Sequence, residues 1–346
     1  AFEQEFAGFV RGDASCAAVS SCMAALHLAY LELGIGPGDE VLVPAQTHVA
    51  TAHAVEVVGA TPVFVDCELQ TGNMDLDQLE SLITPQTRAI GLVQLVGIPC
   101  AMDAINEIAQ AHGLKVIEDC ALAVGSRYKG THVGMFGDVG CFSFYPVKHI
   151  TTGDGGMLIS RHQSLTERVI KTRGFGVDRT FSERQIPGMY DVPTLGFNYR
   201  MSDINAALGR VQLGRIGEIL DIRKRNFAQL KALLADIDNV VVLDSPSSEF
   251  VNSHYCLSVI LRNKLAERRN AIVAELRELG IGTSIYYPQP VPRMTYYRKK
   301  YGYDEARYPN ATAISDEGIA LPVGPHLTSD DVDSIGTTFR QICLGD

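Results

Sequence analysis

Lys148 is the residue in this sequence whose setting most strongly indicates chemistry. It follows the apolar stretch 141–145 and precedes a glycine-rich turn and a second apolar stretch, 157–160. A lysine held between two core strands loses hydration, which lowers the pKa of its amine. Such an amine can act as a base or form a Schiff base with a carbonyl compound. The alternative is a lysine whose stem packs in the core while its ammonium group reaches water.

Asp119 ends a second apolar stretch, 116–119. In open α/β sheets, ligands bind outside the carboxyl ends of the strands. A carboxylate in that position can pair with a cationic ring nitrogen of a bound molecule. The alternative is an aspartate that caps the N-terminus of a helix.

A phosphate site is indicated where a predicted strand runs into a predicted helix at Cys22 and Met23. The free N–H groups at a helix N-terminus bind phosphate without any particular side chain. Ser143, five residues before Lys148, could turn its hydroxyl toward the same phosphate. The alternatives are an ordinary serine N-cap before Cys22 and a Ser143 hydroxyl bonded to the backbone.

Two further polar residues follow predicted element ends. His48 lies in a short loop after the strand that stops at Pro44, and its imidazole could stack on a planar ring. Asn198 precedes a predicted helix and could give an amide contact to phosphate. A surface or core histidine and an ordinary helix-capping asparagine are the alternatives.

The elements that must position these residues alternate between strand and helix up to residue 160, and many of the helices end at glycine. This order predicts a mostly parallel sheet covered on both faces. We expect a large domain over residues 1–215 and a small α+β domain over 216–346. In the second half we expect a helix over 264–279, a strand over 282–286 and a loop over 287–303. Segment 174–198 has the length of a functional loop.

Composition excludes several classes of protein. The chain has 346 residues, 46% of them apolar, and a formal net charge of −10, which argues against nucleic-acid binding. No apolar run is long enough to span a bilayer, and no signal-peptide pattern opens the chain. The eight cysteines form no C-x-x-C pair, so buried thiols are expected rather than disulfides or a metal site. These features together predict a reduced, cytoplasmic protein.

The motifs, taken in order, resemble one enzyme family, the pyridoxal phosphate (PLP)-dependent sugar-nucleotide aminotransferases of the DegT/StrS type. The resemblance covers the whole chain. Its matching stretches include Ser-Ser-x-x-Ala-Ala-Leu-His-Leu from residue 20, Val-Ile-Glu-Asp-Cys-Ala from 116, Gly-Asp-Val-Gly-Cys-Phe-Ser-Phe-Tyr-Pro-Val-Lys from 137 and Gly-Phe-Asn-Tyr-Arg-Met-Ser-Asp from 196. It implies the α/β fold of PLP-dependent transferases (aspartate aminotransferase-like, fold type I). It also implies a seven-stranded sheet in the large domain and a homodimer with shared active sites.

The resemblance also implies a role for each residue named above. Lys148 would hold PLP as an aldimine, and Asp119 would face the pyridine nitrogen. His48 would occupy the place of the group that stacks on the ring. The phosphate would be held by the backbone at Cys22 and Met23, by the Ser143 hydroxyl and by Asn198 of the other subunit.

The chain departs from the family pattern at a few positions. Family members usually have Gly-Thr in place of Cys22-Met23, and a polar residue in place of Leu122. We expect Gln94, at a position where histidine is common, to compensate for Leu122 and to contact the substrate. Family members also usually carry a segment before the helix that opens this chain, so we expect that the printed sequence is truncated.

The implied reaction transfers an amino group from L-glutamate, which becomes 2-oxoglutarate, to a nucleotide-linked 4-keto-6-deoxyhexose. Perosamine-forming members resemble the stretches Ile-Pro-Cys-Ala-Met-Asp, Ile-Glu-Asp-Cys-Ala and Ile-Thr-Thr-Gly-Asp-Gly-Gly of this chain well, which favours a GDP-linked sugar. The sugar is expected between segment 174–198 and the tyrosines Tyr286 and Tyr287. The alternatives are a PLP-dependent sugar dehydratase, whose relatives have histidine at the Lys148 position, a PLP-binding regulator without activity, and a structural scaffold that binds no cofactor.

Overall fold

The structure is a computed structural model that describes residues 1–10, 13–179 and 185–345. The first part of the chain forms α1 (Phe2–Val10), β1 (Ser15–Val19), α2 (Cys22–Glu32), β2 (Glu40–Pro44), α3 (Val49–Val57), β3 (Thr61–Val65), α4 (Leu76–Ser81), β4 (Thr87–Val93), α5 (Met102–His112), β5 (Lys115–Asp119), β6 (Arg127–Tyr128), β7 (Thr131–His132), β8 (Val139–Ser143), β9 (Gly156–Ser160), α6 (Gln163–Thr172) and α7 (Asp203–Gly214). The second part forms α8 (Ile216–Leu234), β10 (Val240–Val242), β11 (Phe250–Val251), β12 (Leu257–Leu261), α9 (Lys264–Glu267), α10 (Arg269–Glu278), α11 (Thr295–Tyr301), α12 (Pro309–Glu317), β13 (Gly318–Leu321) and α13 (Ser329–Leu344).

A seven-stranded sheet in the order β1-β9-β8-β5-β4-β2-β3 forms the centre of the first part. β9 runs antiparallel to both of its neighbours, and the other pairs of strands are parallel. Alternate residues of β1 point into different cores: Ala17 and Val19 into one, Cys16 and Ala18 into another. The sheet is therefore buried on both faces, which explains why its strands are continuously apolar. The predicted mostly parallel seven-stranded α/β fold is confirmed.

The second part of the chain is built on a three-stranded antiparallel sheet in the order β10-β12-β13. Helices α8, α10 and α13 contribute Phe227, Ile272 and Phe339 to a common core with this sheet. β11 pairs instead with β6 of the first part, so residues 250–251 extend a small sheet beside the large one. The division at residue 215 remains a prediction.

Three predictions for the second half need correction. The helix expected over 264–279 is divided at Arg268 into α9 and α10. The strand expected over 282–286 is absent among the described strands; Ser284 alone forms a β-bridge there, to Ala320 on the outer edge of β13. The loop expected over 287–303 contains α11, where Tyr297 is buried against Phe64.

The ends of the long segment 174–198 lie together. Gly174 and Asn198 form a single β-bridge, and the Phe175 N–H donates to the Phe197 carbonyl at 2.9 Å. Residues 180–184 of this predicted functional loop lie outside the described residues.

Two chain-wide features complete the description. All eight cysteine thiols are buried, as expected. None of the helices in the described ranges has the length and apolar character needed to cross a membrane.

Candidate active site

A cavity of about 400 Å³ opens at the edge of the large sheet where β5 and β8 end. Parallel strands bring their carboxyl ends to the same edge, so loops distant in sequence meet there. Seven of the ten predicted site residues line this cavity: Cys22, Met23, His48, Asp119, Ser143, Lys148 and Tyr287.

Lys148 enters the cavity from a turn just after β8, in which its N–H donates to the Tyr145 carbonyl at 2.9 Å. Burial lowers the pKa of the amine below the usual lysine value, and the negative charge of Asp119 offsets this only in part. The Nζ atom lies 5.6 Å from the centroid of the Tyr255 ring. A partly buried amine of this kind is suited to attack a carbonyl group or to carry a proton.

Asp119 is a buried and firmly oriented carboxylate. Its Oδ2 accepts from the Thr51 hydroxyl at 2.8 Å, and its Oδ1 accepts from the Ala121 N–H at 3.0 Å. The Thr51 hydroxyl in turn lies 2.8 Å from that of Thr47. The element that follows Asp119 is the strand β6, so the alternative of a helix-capping aspartate is wrong. The carboxylate is held for contact with a ligand in the cavity.

The N-terminus of α2 forms another wall. Ser21 caps this helix: its hydroxyl accepts from the Ala24 N–H at 3.1 Å, and its carbonyl accepts from the Ala25 N–H at 3.1 Å. The N–H groups of Cys22 and Met23 belong to the first turn, where helical amides have no acceptor within the helix. These amides can bind an anion, phosphate in particular.

Close packing holds this wall against the sheet. A Cβ atom at Gly156, the first residue of β9, would lie 2.5 Å from the backbone carbon of Ser21 and 2.6 Å from the Cys22 nitrogen. Only glycine permits this approach. Ser143, at the end of the neighbouring strand β8, is 6% exposed and lines the same cavity. Its Oγ accepts from the Tyr145 N–H at 3.4 Å, as in the alternative of a hydroxyl bonded to the backbone, and its contact with phosphate remains a prediction.

His48 and Tyr287 form an aromatic edge of the cavity. His48 is the N-cap of α3, and its Nδ1 accepts from the Ala50 N–H at 3.2 Å, which fixes the imidazole ring. The ring centroids of His48 and Tyr287 are 5.4 Å apart at an angle of 64°. This arrangement leaves the imidazole able to face a planar ligand.

The other three predicted residues lie outside this cavity. Gln94 is fully buried; its Nε2 donates to Glu118 at 3.0 Å, and its Oε1 accepts from the Cys100 N–H at 2.6 Å. The structure therefore does not support a substrate contact for Gln94 or compensation for Leu122. Tyr286 lines a neighbouring cavity. Asn198 is exposed, and its contact with another subunit remains a prediction.

Thr51 is the site residue that the sequence analysis missed. It lies in the first turn of α3, three residues after His48, within the otherwise apolar run Val49-Ala50-Thr51-Ala52. The signal available in the sequence was a hydroxyl within this apolar run, because a hydroxyl that is buried, as Thr51 is, needs a hydrogen-bond partner. Here that partner is Asp119.

The polar groups that line the cavity match the functional groups of PLP. Lys148 offers an amine for its aldehyde, Asp119 a carboxylate for its ring nitrogen, and the start of α2 offers amides for its phosphate. In the described ranges, no group of three or more His, Cys, Asp or Glu side chains is placed to hold a metal ion.

Comparisons with known proteins agree with this chemistry. A sequence model described as the DegT/DnrJ/EryC1/StrS aminotransferase family matches residues 1–340. The spore coat polysaccharide biosynthesis protein SpsC of Bacillus subtilis (strain 168) is 37% identical over 99% of this chain and 89% of its own length. A GDP-perosamine synthase of Escherichia coli O157:H7 is 38% identical over 93% of this chain and 84% of its own length.

Solved structures are similar over nearly the whole chain as well. The sugar aminotransferase Spr1654 of Streptococcus pneumoniae superposes with a TM-score of 0.92 in its PMP form, at 31% identity over 99% of this chain and 91% of that one. Its PLP form gives a TM-score of 0.90 at the same identity, over 99% of this chain and 90% of that one.

Proposed function

Because the chain belongs to the DegT/DnrJ/EryC1/StrS aminotransferase family, we propose that it transfers an amino group from L-glutamate to a nucleotide-linked keto sugar, with PLP as its cofactor. The observation that carries the proposal is the meeting of Lys148 and Asp119 in one cavity with the N-terminus of α2. The product from L-glutamate would be 2-oxoglutarate. PLP, when bound, would supply an electron sink for the substrate carbon that exchanges its proton.

The residues of the cavity would have different roles in this reaction. Lys148 would first hold the cofactor and then move a proton at its Nζ atom, because burial favours the neutral amine that can accept one. Asp119, fixed by Thr51, would keep a positive charge on the cofactor's ring nitrogen. The first amides of α2 and the Ser143 hydroxyl would anchor the phosphate and so set the position of the ring over these groups.

We favour a GDP-linked 4-keto-6-deoxyhexose as the amino acceptor. The 38% identity to a GDP-perosamine synthase supports this choice, as does the 37% identity to a protein of polysaccharide biosynthesis. The sugar would lie at the mouth of the cavity, next to Tyr287. Segment 174–198 would provide the other side of the sugar site.

An exposed apolar surface on α7 supports the proposal of a homodimer. Ile204, Leu208 and Val211 are spaced on one face of this helix and are 84%, 41% and 64% exposed. Apolar side chains in such a row usually mark a protein interface. The proposed contact of Asn198, near the start of α7, with the other subunit's cofactor phosphate requires such a dimer. The buried thiols favour the reducing cytoplasm as the compartment.

The test is conversion of a panel of nucleotide-linked 4-keto sugars by the PLP-loaded protein, read by mass spectrometry with and without L-glutamate. We expect one keto sugar to become an amino sugar only when L-glutamate is present. Lys148→Ala should abolish this conversion, whereas Lys171→Ala, at an exposed lysine of α6, should leave it unchanged. A deoxygenated product without nitrogen would indicate a dehydratase instead. PLP binding without any conversion would indicate a regulator.

A further inference from the structure

A second cavity, of about 490 Å³, lies on the other side of Lys148. Its remaining walls come from Tyr255 and Cys256, just before β12, and from residues within 282–286 and 320–326. The ionisable groups that line it include Lys148, His149, Arg223 and His326, and among the described residues no aspartate or glutamate does. In a chain with a net charge of −10, this is an unusual local excess of basic groups.

Arg223 is the most informative of these groups. It lies on α8 and is only 7% exposed, and its Nη1 donates to the Tyr255 carbonyl at 2.7 Å. Its Nε has no partner, and within the described part of the chain no carboxylate pairs with the guanidinium. A buried cation without an anionic partner costs free energy, and an anion bound beside it would relieve that cost.

His149 presents a second unpartnered atom. The residue is 3% exposed, and its Nε2 lies 3.1 Å from the Ser253 carbonyl. Since a carbonyl can only accept, Nε2 carries the hydrogen and Nδ1 is left as an acceptor, for which no partner exists among the described residues. Burial lowers the pKa of His149 well below its usual value, so the ring stays neutral.

The Tyr255 ring connects these groups to Lys148. The Lys148 Nζ lies 5.6 Å and the Arg223 Cζ 5.9 Å from its centroid, and the His149 ring centroid lies 5.5 Å from it. A small molecule that reacts at Lys148 could therefore place an anionic group near Arg223.

We propose that this second cavity binds a carboxylate of the amino donor, with Arg223 as the cationic partner and the Nδ1 of His149 as an acceptor for a donor group on the same ligand. The inference rests on the proposed transamination, for which it names the donor's binding site. A cavity of this volume is in the range of small-molecule sites. L-Glutamate and 2-oxoglutarate each carry two carboxylates, so a basic cavity next to the reactive amine suits both.

The direct test is calorimetric binding of 2-oxoglutarate to the PLP-loaded protein, which needs no turnover. Arg223→Gln should weaken binding about tenfold to a hundredfold, the loss expected for a hydrogen bond to a charged group. Arg225→Gln, two residues further along α8 at an exposed position, should bind as the wild type does. In turnover assays the KM for L-glutamate should rise in Arg223→Gln, with the KM for the nucleotide sugar unchanged.

Pyruvate, with one carboxylate, serves as the second probe. If Arg223 binds the carboxylate next to the keto group, Arg223→Gln weakens the binding of both acids. If it binds the distal carboxylate, only 2-oxoglutarate is affected. Equal binding of 2-oxoglutarate by Arg223→Gln and the wild type would overturn the proposal, and so would a loss confined to GDP binding, which would assign the site to phosphate.

A second variant tests the cavity without replacing Arg223, in case the loss of this buried side chain disturbs the local structure. Ser284 is exposed and lines the opposite wall, so Ser284→Phe should fill the cavity without touching the guanidinium. We expect weakened 2-oxoglutarate binding; unchanged binding would count against the site. If no keto sugar is converted by the wild type but Arg223-dependent binding persists, the proposed function fails while the carboxylate site stands.

Discussion

The hydroxyl of Thr51 donates to Oδ2 of Asp119 at 2.8 Å, and this bond links the first turn of α3 to the end of β5. The Ala121 N–H holds the other carboxylate oxygen. Both oxygens are therefore oriented before any ligand binds. A carboxylate fixed in this way loses little freedom when it pairs with a cationic ring, so Thr51 positions Asp119 for that role.

Thr51→Val tests this relationship, because valine keeps the shape and removes the hydroxyl. We expect PLP to bind about tenfold to a hundredfold more weakly, the range for losing a hydrogen bond to a charged group. Absorbance titration of the apoprotein with PLP measures the change. Thr131→Val, at an exposed threonine of β7, should bind PLP normally. Wild-type affinity in Thr51→Val would show that Ala121 alone suffices to orient Asp119.

The lowered pKa of Lys148 predicts a pH-dependent stability of the cofactor-free protein. Burial, the largest cause, places the pKa below the usual value of 10.5, so the unfolded chain binds this proton more tightly than the folded one. The penalty for burying the amine is therefore full below the folded-state pKa and diminishes as the pH rises toward about 10.

Lys148→Met removes that penalty. We expect this variant to unfold at higher denaturant concentration than the wild type near neutral pH, with a difference that shrinks as the medium becomes alkaline. Denaturant titrations of the apoproteins at a series of pH values measure it. The control Lys171→Met replaces an exposed lysine and should show no such trend. A difference that is constant with pH would mean that Lys148 keeps a normal pKa.

We expect the buried carboxylate of Glu118, next to Asp119 in β5, to contribute to the stability of the fold. Fully buried, it accepts from the N–H groups of Gly134, Phe136 and Gly137 at 2.6, 2.8 and 2.8 Å, and from Gln94 at 3.0 Å. Burial raises its pKa, and these four donors counteract that rise.

Glu118→Gln turns one acceptor into an amide donor that must face N–H groups. We expect a loss of about 3 kcal/mol in the free energy of unfolding, measured by chemical denaturation. Glu107→Gln, at an exposed glutamate of α5, should change stability by less than about 0.5 kcal/mol. Equal stability of the two variants would contradict a structural role for Glu118.

If the apolar face of α7 forms the dimer interface, a charged residue introduced there should weaken the dimer. Val211→Glu places a carboxylate within the proposed interface, and we expect a shift from dimer to monomer in light scattering. Because the sites are proposed to be shared, PLP affinity should fall with it. Val57→Glu makes the same change at a valine of α3 that is 55% exposed, and should leave the molar mass unaltered. A dimeric Val211→Glu protein would place the interface elsewhere.

Local sequence patterns were sufficient for much of the fold. The parallel sheet followed from strands and helices that alternate, because a strand covered on both faces must be apolar along its whole length. Lys148 and Asp119 were recognisable because charged residues at the ends of apolar strands are costly without a task. The helix in residues 295–301 was missed, since its aromatic and basic residues lack a helical apolar pattern and Tyr297 is packed by Phe64 and His53, which are distant in sequence.

The sequence by itself determined the family, the α/β architecture and the two charged residues of the cavity, because these depend on order and periodicity along the chain. Tertiary structure decided which polar groups face a ligand. In the folded chain Gln94 is hydrogen-bonded to Glu118, and Thr51 is hydrogen-bonded to Asp119. Arg223 is buried beside Tyr255, although the sequence of α8 is rich in charged residues and is typical of a surface helix. The physical reason is that hydrogen bonds and charge pairs depend on distances in the folded chain. The spacing of residues along the sequence does not specify those distances.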